Sequence, residues 1–317
     1  MGAVVQRLLE ALPFRTPAPV LRGVQVVINP AAGSVGPGAE REMEQILGEA
    51  GINHTVVAAT PEDLPQVLRA AVDAGPDLLI VLAGDGTARS AASLCGPRGP
   101  LLAPLAGGTM NVLPHAIYGT KPWQQALKET LADGVSMFVS GGEVDRERFY
   151  VAAILGSPAL FAEAREAARA GLLGLAWQKA RGAMARAFSA RLRYQLEGGE
   201  IGRAEALALL CPLVSRAMAD DERALEAAAL NPHGAAEAFR LGFRAMFHDI
   251  MGDWRLDPSV DTSKCRRGVA WATSAIPVIL DGEPMRLHRR VEIRFVERAF
   301  RAYAPARKET VASLPPK

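Results

Sequence analysis

Two short loops in this chain have the composition of a phosphate cradle. Ala83-Gly84-Asp85-Gly86-Thr87 follows the aliphatic run 78–82, and Ala106-Gly107-Gly108-Thr109-Met110-Asn111 follows the run 101–105. Glycine lets backbone N–H groups approach a phosphate closely, and a single aspartate among such amides can hold a metal ion that bridges phosphate oxygens. A lone Gly-Asp-Gly is equally the composition of an ordinary turn. The second loop changes the weighing, and together the two predict a nucleotide phosphate site. No Gly-x-x-x-x-Gly-Lys-Ser/Thr occurs, so the cradle is not a Walker loop.

The elements that must carry these loops are legible in the hydrophobic pattern. Short, continuous aliphatic runs read as strands buried on both faces, the habit of a parallel sheet covered by helices, and ligands bind at the carboxyl ends of such strands. Strands are predicted at 24–28, 55–58, 78–82 and 101–105. Helices are predicted between them: one from about Pro37 with Met43, Ile46, Leu47 and Ala50 on one face, one burying Leu64, Val67, Leu68 and Ala71, and one over 88–94. A bent segment to Tyr118 and a helix over 122–131 complete the alternation. This predicts a doubly wound parallel sheet over residues 1–133.

From Val135 the grammar changes to apolar runs without intervening helices, at 135–139, 143–144 and 149–155, with a turn over 145–148. Further strands are expected at 206–212, 269–272, 278–280, 291–295 and 300–303, and a helix over 224–251. The expected architecture is an α/β nucleotide-binding domain, 1–133, followed by a mainly antiparallel, sandwich-like β domain with helical insertions, 134–304, and a tail, 305–317. Residues 1–12 read as an amphipathic starter helix packed on the protein.

Composition sets bounds. Hydrophobic residues are 49% and charged residues 22% of 317, an ordinary globular mixture, and the net charge of +2 gives no electrostatic reason to expect nucleic acid. Cys95, Cys211 and Cys265 lack metal-ligand spacing and read as reduced thiols of a cytoplasmic protein. No run is long and apolar enough for a membrane span, and the N-terminus lacks the features of a signal peptide. His54, His115, His233, His248 and His288 have no carboxylate or cysteine partner at ligand spacing.

The order and spacing of four motifs resemble the diacylglycerol kinase catalytic domain family, the lipid kinases that include sphingosine and ceramide kinases and their bacterial relatives. Asn29-Pro30-Ala31-Ala32-Gly33 stands where the family has Asn-Pro-x-Ser/Ala-Gly, Ala83–Thr87 where it has Gly-Gly-Asp-Gly-Thr, Pro104–Asn111 where it has Pro-x-Gly-Thr-x-Asn, and Asp281-Gly282-Glu283 where it has Asp-Gly-Glu. The resemblance implies ATP and Mg²⁺ as cofactors and a lipid as acceptor. ATP would be held by Asn29, Gly33, Gly84, Asp85, Gly86, Thr87, Gly107, Gly108 and Thr109, with Asp85 near the metal and Asn111 orienting the nucleotide or the loop. It also implies Asp281 as the general base that accepts the proton of the attacking hydroxyl, with Glu283 supporting metal or base. Read without the family, Asp281-Gly282 is a type I′ hairpin turn.

The chain departs from the family pattern in several places. Ala83 replaces a glycine, the second loop is two residues longer, Ser90 stands where many members carry glutamate, and Val112 where many carry aspartate. Gly156-Ser157-Pro158 matches its counterpart only loosely. Two other functions therefore stand beside the lipid kinase: an NAD kinase-like enzyme, which shares the Gly-Asp-Gly-Thr loop, and an inactive lipid- or nucleotide-binding protein. Between residues 171 and 196 lie Lys179, Arg181, Arg186, Arg191 and Arg193 and no acidic residue. On a helix, Leu173, Trp177, Ala180, Met184 and Phe188 would oppose Lys179, Arg186 and Arg193. That is either an ordinary amphipathic helix covering the β domain or a peripheral contact with the inner membrane face.

Overall fold

A computed structural model describes residues 15–17, 20–156, 192–215, 223–230 and 260–306. The starter helix expected over 1–12, most of the basic segment (171–191) and the tail from 307 lie outside the described residues.

Alternation of strand and helix builds the first layer: β1 (Arg15–Pro17), β2 (Val24–Ile28), α1 (Ala39–Glu49), β3 (His54–Ala58), α2 (Leu64–Asp73), β4 (Leu78–Ala83), α3 (Asp85–Cys95), β5 (Leu101–Ala106), α4 (Val112–Tyr118) and α5 (Trp123–Asp133). Strands β3, β2, β4 and β5 pair in parallel in that spatial order. Every residue of β4 is buried because helices cover both faces of the sheet. Leu79 and Val81 face a cluster with Leu68 of α2 and Ala91 of α3, while Ile80 and Leu82 face Met43 of α1 and Leu127 of α5. Each such aliphatic side chain contributes about 1.5–3 kcal/mol by leaving water. The sheet can therefore present the loops at its carboxyl edge on a rigid base.

The second half is antiparallel, as its hairpin grammar predicts. It comprises β6 (Gly134–Val144), β7 (Glu147–Phe149), β8 (Ala152–Gly156), β9 (Leu192–Leu196), β10 (Gly202–Ala204), β11 (Ala206–Leu210), β12 (Leu225–Leu230), β13 (Val260–Cys265), β14 (Arg267–Trp271), β15 (Ile276–Leu280), β16 (Glu283–Leu287) and β17 (Arg290–Pro305). One sheet has the order β13-β12-β11-β8-β15-β16. Its inner face packs Leu155, Leu209 and Val278 against Phe149, Val291 and Ile293 of the other sheet.

The runs expected as two strands at 291–295 and 300–303 are one strand, β17, interrupted by a bulge between Val296 and Phe300 where Arg298 takes φ 54°. This strand lies beside β14 and β6 and then reaches β5 in parallel at Ala302↔Leu102. The large sheet is thus continuous from the parallel strands into the second half of the chain.

Two helical expectations are corrected. Leu225–Leu230, Ala-rich and helical by propensity, is a central strand fully paired with β11 and β13; the ladder on both sides overrides local preference. Leu192–Leu196, expected on the basic helix, pairs with β10 and β14, so Arg193 sits on a strand. Among the described residues no helix is long and apolar enough to cross a membrane.

Candidate functional site

The loops after β2, β4 and β5 converge, and the reasons are local. After β4 the chain passes Gly84 and enters α3 directly at Asp85, so the helix begins at the loop itself. After β5 the chain crosses close beneath that turn. A Cβ on Gly108 would lie 2.7 Å from the Gly84 Cα, and one on Gly107 would lie 2.8 Å from the Ala83 nitrogen. Only glycine permits this approach. The first loop joins them: the Ser34 N–H donates to the Gly107 carbonyl at 2.8 Å and the Ser34 hydroxyl to the Gly108 carbonyl at 2.5 Å.

Asp85 latches the two glycine loops together. Its Oδ2 accepts the Asn111 N–H at 2.8 Å and its Oδ1 the Val112 N–H at 2.5 Å, at the start of α4. Asn111 closes its own loop: Oδ1 accepts the Gly108 N–H at 2.7 Å and Nδ2 donates to the Gly108 carbonyl at 2.9 Å, with the residue held at φ 52°. Burial pushes the Asp85 carboxyl up to about 6; the two amides pull the other way, and the charges of Glu283 and Asp281 push in the same direction as burial.

The fourth motif arrives from the antiparallel sheet. Asp281 and Gly282 have φ 46° and 93° and connect β15 to β16 as a two-residue turn with Leu280 opposite Glu283, the local geometry that Asp-Gly favours. The same turn packs on the second glycine loop, with Val112 Cγ2 and Met110 Cε 3.3 and 3.5 Å from the position of a Cβ on Gly282. That contact gives Val112 an apolar partner. Asp281 is 2% exposed, and its carboxylate accepts the N–H groups of Tyr150 at 2.7 Å, Val151 at 2.8 Å and Ala152 at 3.0 Å. Burial pushes it up to about 6 against those three donors and the nearby Arg89 cation.

These parts enclose a cavity of about 500 Å³. Asn29, Gly33, Gly84, Asp85, Gly86, Thr87, Gly108 and Thr109 line it on one side, and Gly282 and Glu283 on the other. Of the expected site residues, Gly107, Asn111 and Asp281 stand behind this wall and shape it. Asn29 Oδ1 accepts the Ala31 N–H at 3.0 Å and so holds the first loop's turn. The side chain of Ser90 points its hydroxyl back to the Gly86 carbonyl at 2.9 Å.

One charged lining residue was missed from sequence. Arg89, in α3, borders the cavity, and its Nη1 is buried without a hydrogen-bond partner. The only signal for it was a cation four residues after Asp85 on the same helix face.

Among the described residues no group of three or more His, Cys, Asp or Glu could enclose a metal ion. Mg²⁺ ordinarily needs only one or two carboxylates plus phosphate oxygens. The Glu283 carboxylate borders the cavity beside Gly86, and Asp85 retains lone pairs beyond those its two amides use, so the donor set fits an ion brought in with a polyphosphate.

Comparison with known proteins agrees with this geometry. Residues 23–140 match the family model described as diacylglycerol kinase catalytic domain. No curated protein matches the chain. Among solved structures, a diacylglycerol kinase from Bacillus anthracis str. Sterne is similar at 15% identity with TM-score 0.66, and a putative diacylglycerol kinase from the same organism at 16% with TM-score 0.65. Each similarity covers 90% of this chain and 98% of the other. The segment that carries the three converging loops thus matches the diacylglycerol kinase catalytic domain family, in a chain with the fold of diacylglycerol kinase-like proteins.

Proposed function

We propose that this protein is an ATP-dependent kinase that transfers the γ-phosphoryl group to a hydroxyl of diacylglycerol or a similar lipid alcohol. The observation that carries the reading is the convergence of three phosphate-compatible loops from one sheet with a carboxylate turn from another around a single cavity. Phosphoryl transfer needs positioning and charge neutralisation more than covalent chemistry. The amides of Gly84–Thr87 and Thr109 hold the phosphates, with the N-terminal end of α3 behind them, while the Gly107 and Gly108 N–H groups are donated to the Ala83 carbonyl and Asn111 Oδ1 and fix the second loop beneath. Mg²⁺, when bound, neutralises phosphate charge, with Glu283 and Asp85 as the carboxylates at hand.

Proton acceptance from the attacking hydroxyl falls to the Asp281-Gly282-Glu283 turn. Asp281 is the base implied by the family, with a carboxyl raised towards neutrality; Glu283 is the carboxylate on the cavity wall. Three amides take up all but about one of the lone-pair sites of Asp281 and keep it behind the cavity wall, so Asp281 holds the turn and Glu283 is the carboxylate that meets the hydroxyl. The test is transfer of label from γ-labelled ATP with Mg²⁺ to a panel of lipid alcohols and to NAD⁺, beside Asp85→Ala, Asp281→Asn and Glu283→Gln. Label on a lipid, lost in the variants, supports the reading. Label on NAD⁺ alone would replace it with an NAD kinase, and nucleotide binding without transfer to any acceptor would replace it with a binding protein.

A further inference from the structure

The large sheet has two unlike faces at its β10-β9-β14-β17 end. One packs inward, with Leu192, Ala270, Val291 and Ile293 buried in the core. The other points to solvent, since opposed residues share a face and successive residues alternate. Register places Arg203 opposite Arg193, Arg193 opposite Trp271, and Trp271 opposite Arg290, a single lateral row across the four strands. Beside this row Arg267 lies opposite Arg294. All five arginines are exposed. Among the outward side chains of these paired segments the one acid is Glu292, which Arg294 takes at 2.5 Å. Glu197, at the end of β9, is turned to the Arg266 and Arg267 N–H groups, and Glu143, opposite Arg294 on β6, is matched by Arg148 at 3.9 Å.

Arg193, Arg203, Arg267 and Arg290 make no ion pair among the described residues. Like charges directly opposite destabilise a sheet, and Arg193 faces Arg203 across the ladder with no acid beside them. The Arg290 guanidinium lies 5.7 Å from the Trp271 ring centroid, and the indole sits half-buried within the row. The whole chain carries only +2, so this concentration of cations is local. The row spans about 15 Å at strand spacing, a flat array of guanidinium groups that match phosphate oxygens, with a tryptophan of the kind that settles at the headgroup level of a bilayer. Strand β16 runs from Glu283, at the cavity, to Leu287, and Arg290 opens the next strand. About 17 Å of strand therefore separates this face from the carboxylate that meets the acceptor hydroxyl.

We propose that this arginine face docks the protein on the surface of an anionic phospholipid bilayer, with Trp271 at the headgroup level. The choice of a bilayer rests on the lipid-acceptor reading above, because such an acceptor resides in one. The contact is carried by a sheet face and does not need the basic stretch 171–191.

Sedimentation of the full chain with vesicles at low salt, without nucleotide, tests the assignment. At about fivefold per unpaired arginine, the chain is expected to bind vesicles of equimolar phosphatidylglycerol and phosphatidylcholine about 100-fold more tightly than phosphatidylcholine alone. Arg193→Gln with Arg203→Gln and Arg290→Gln should bring the two vesicles within about fivefold, whereas lysine at the same three positions keeps the preference. Glutamine at Arg22, Arg41 and Lys128, exposed elsewhere, removes equal charge and should also keep it. Phosphatidylcholine brominated near its carbonyls, mixed with phosphatidylglycerol, should quench tryptophan emission in the wild type and not in Trp271→Phe. Equal binding to both vesicles, a preference that survives the triple glutamine variant, or quenching that survives Trp271→Phe would overturn the proposal. So would loss of the preference in Lys179→Gln with Arg186→Gln, which would give the contact to the basic stretch, or release from the vesicles by a single-stranded oligonucleotide at equal phosphate concentration, which would give the face to nucleic acid. A chain that binds the anionic vesicles but transfers no phosphate would fail the kinase reading and leave this one standing.

Discussion

Replacing Asp281 by asparagine should remove about half of a pH dependence that runs opposite to that of most carboxylates. Burial raises this carboxyl from 3.8 to about 6 in the folded protein. A group that binds its proton more tightly when folded contributes its full stability at low pH and loses it as pH rises through the interval from the unfolded to the folded value. At 1.36 kcal/mol per unit, ionising it costs about 3 kcal/mol in all, of which about 2 kcal/mol falls between roughly pH 4.5 and pH 7.5.

Asp85, also at about 6, supplies a similar share over the same interval. The asparagine at 281 keeps one carbonyl for Val151 and Ala152, which both donate to Oδ1, but turns an amide towards the Tyr150 N–H. That mismatch costs about 1–3 kcal/mol at every pH. The variant is therefore weaker than wild type near pH 4.5 and close to it near pH 7.5. Urea midpoints followed by tryptophan fluorescence at both pH values, with an unchanged m-value, measure this. A wild type that gains stability over this interval, or a variant with the full wild-type slope, would refute the burial argument.

Other expectations follow from the loops. Gly108→Ala places a methyl against the Gly84 backbone and should cut ATP affinity at least about tenfold, since the loops must part; wild-type affinity by titration calorimetry would contradict this. Gly48→Ala, in α1 with open space around it, should leave affinity unchanged and raise stability by about 0.4–1 kcal/mol. Asp85→Asn should loosen the Asn111–Val112 amides, seen as faster hydrogen exchange at those two sites than in the wild type. Cys95 and Cys265 are buried, with thiols pushed up to about 12, and Cys211 is buried with its thiol raised further. A thiol reagent should label none of the three until the chain is unfolded.

The sequence alone determined the parts whose causes are local. Aliphatic runs of five residues ended by Gly84–Thr87 and Gly107–Asn111 read as buried strands with tight loops at their ends, because they are too short for a buried helix and are bounded by glycine. Asp281-Gly282 was readable as a hairpin turn because both residues tolerate positive φ. Causes that act across the chain were hidden. Leu225–Leu230 is a strand only because β11 and β13 flank it, and β17 is one strand because a bulge at Arg298 lets it continue to β5. The Asp85 latch joins amides 26 and 27 residues away. Arg89 carries no local signal beyond its place one helical turn after Asp85, and its Nη1 is buried at the cavity only through tertiary packing. Which charges face a cavity depends on how elements distant in sequence pack together, and only the tertiary structure decides that.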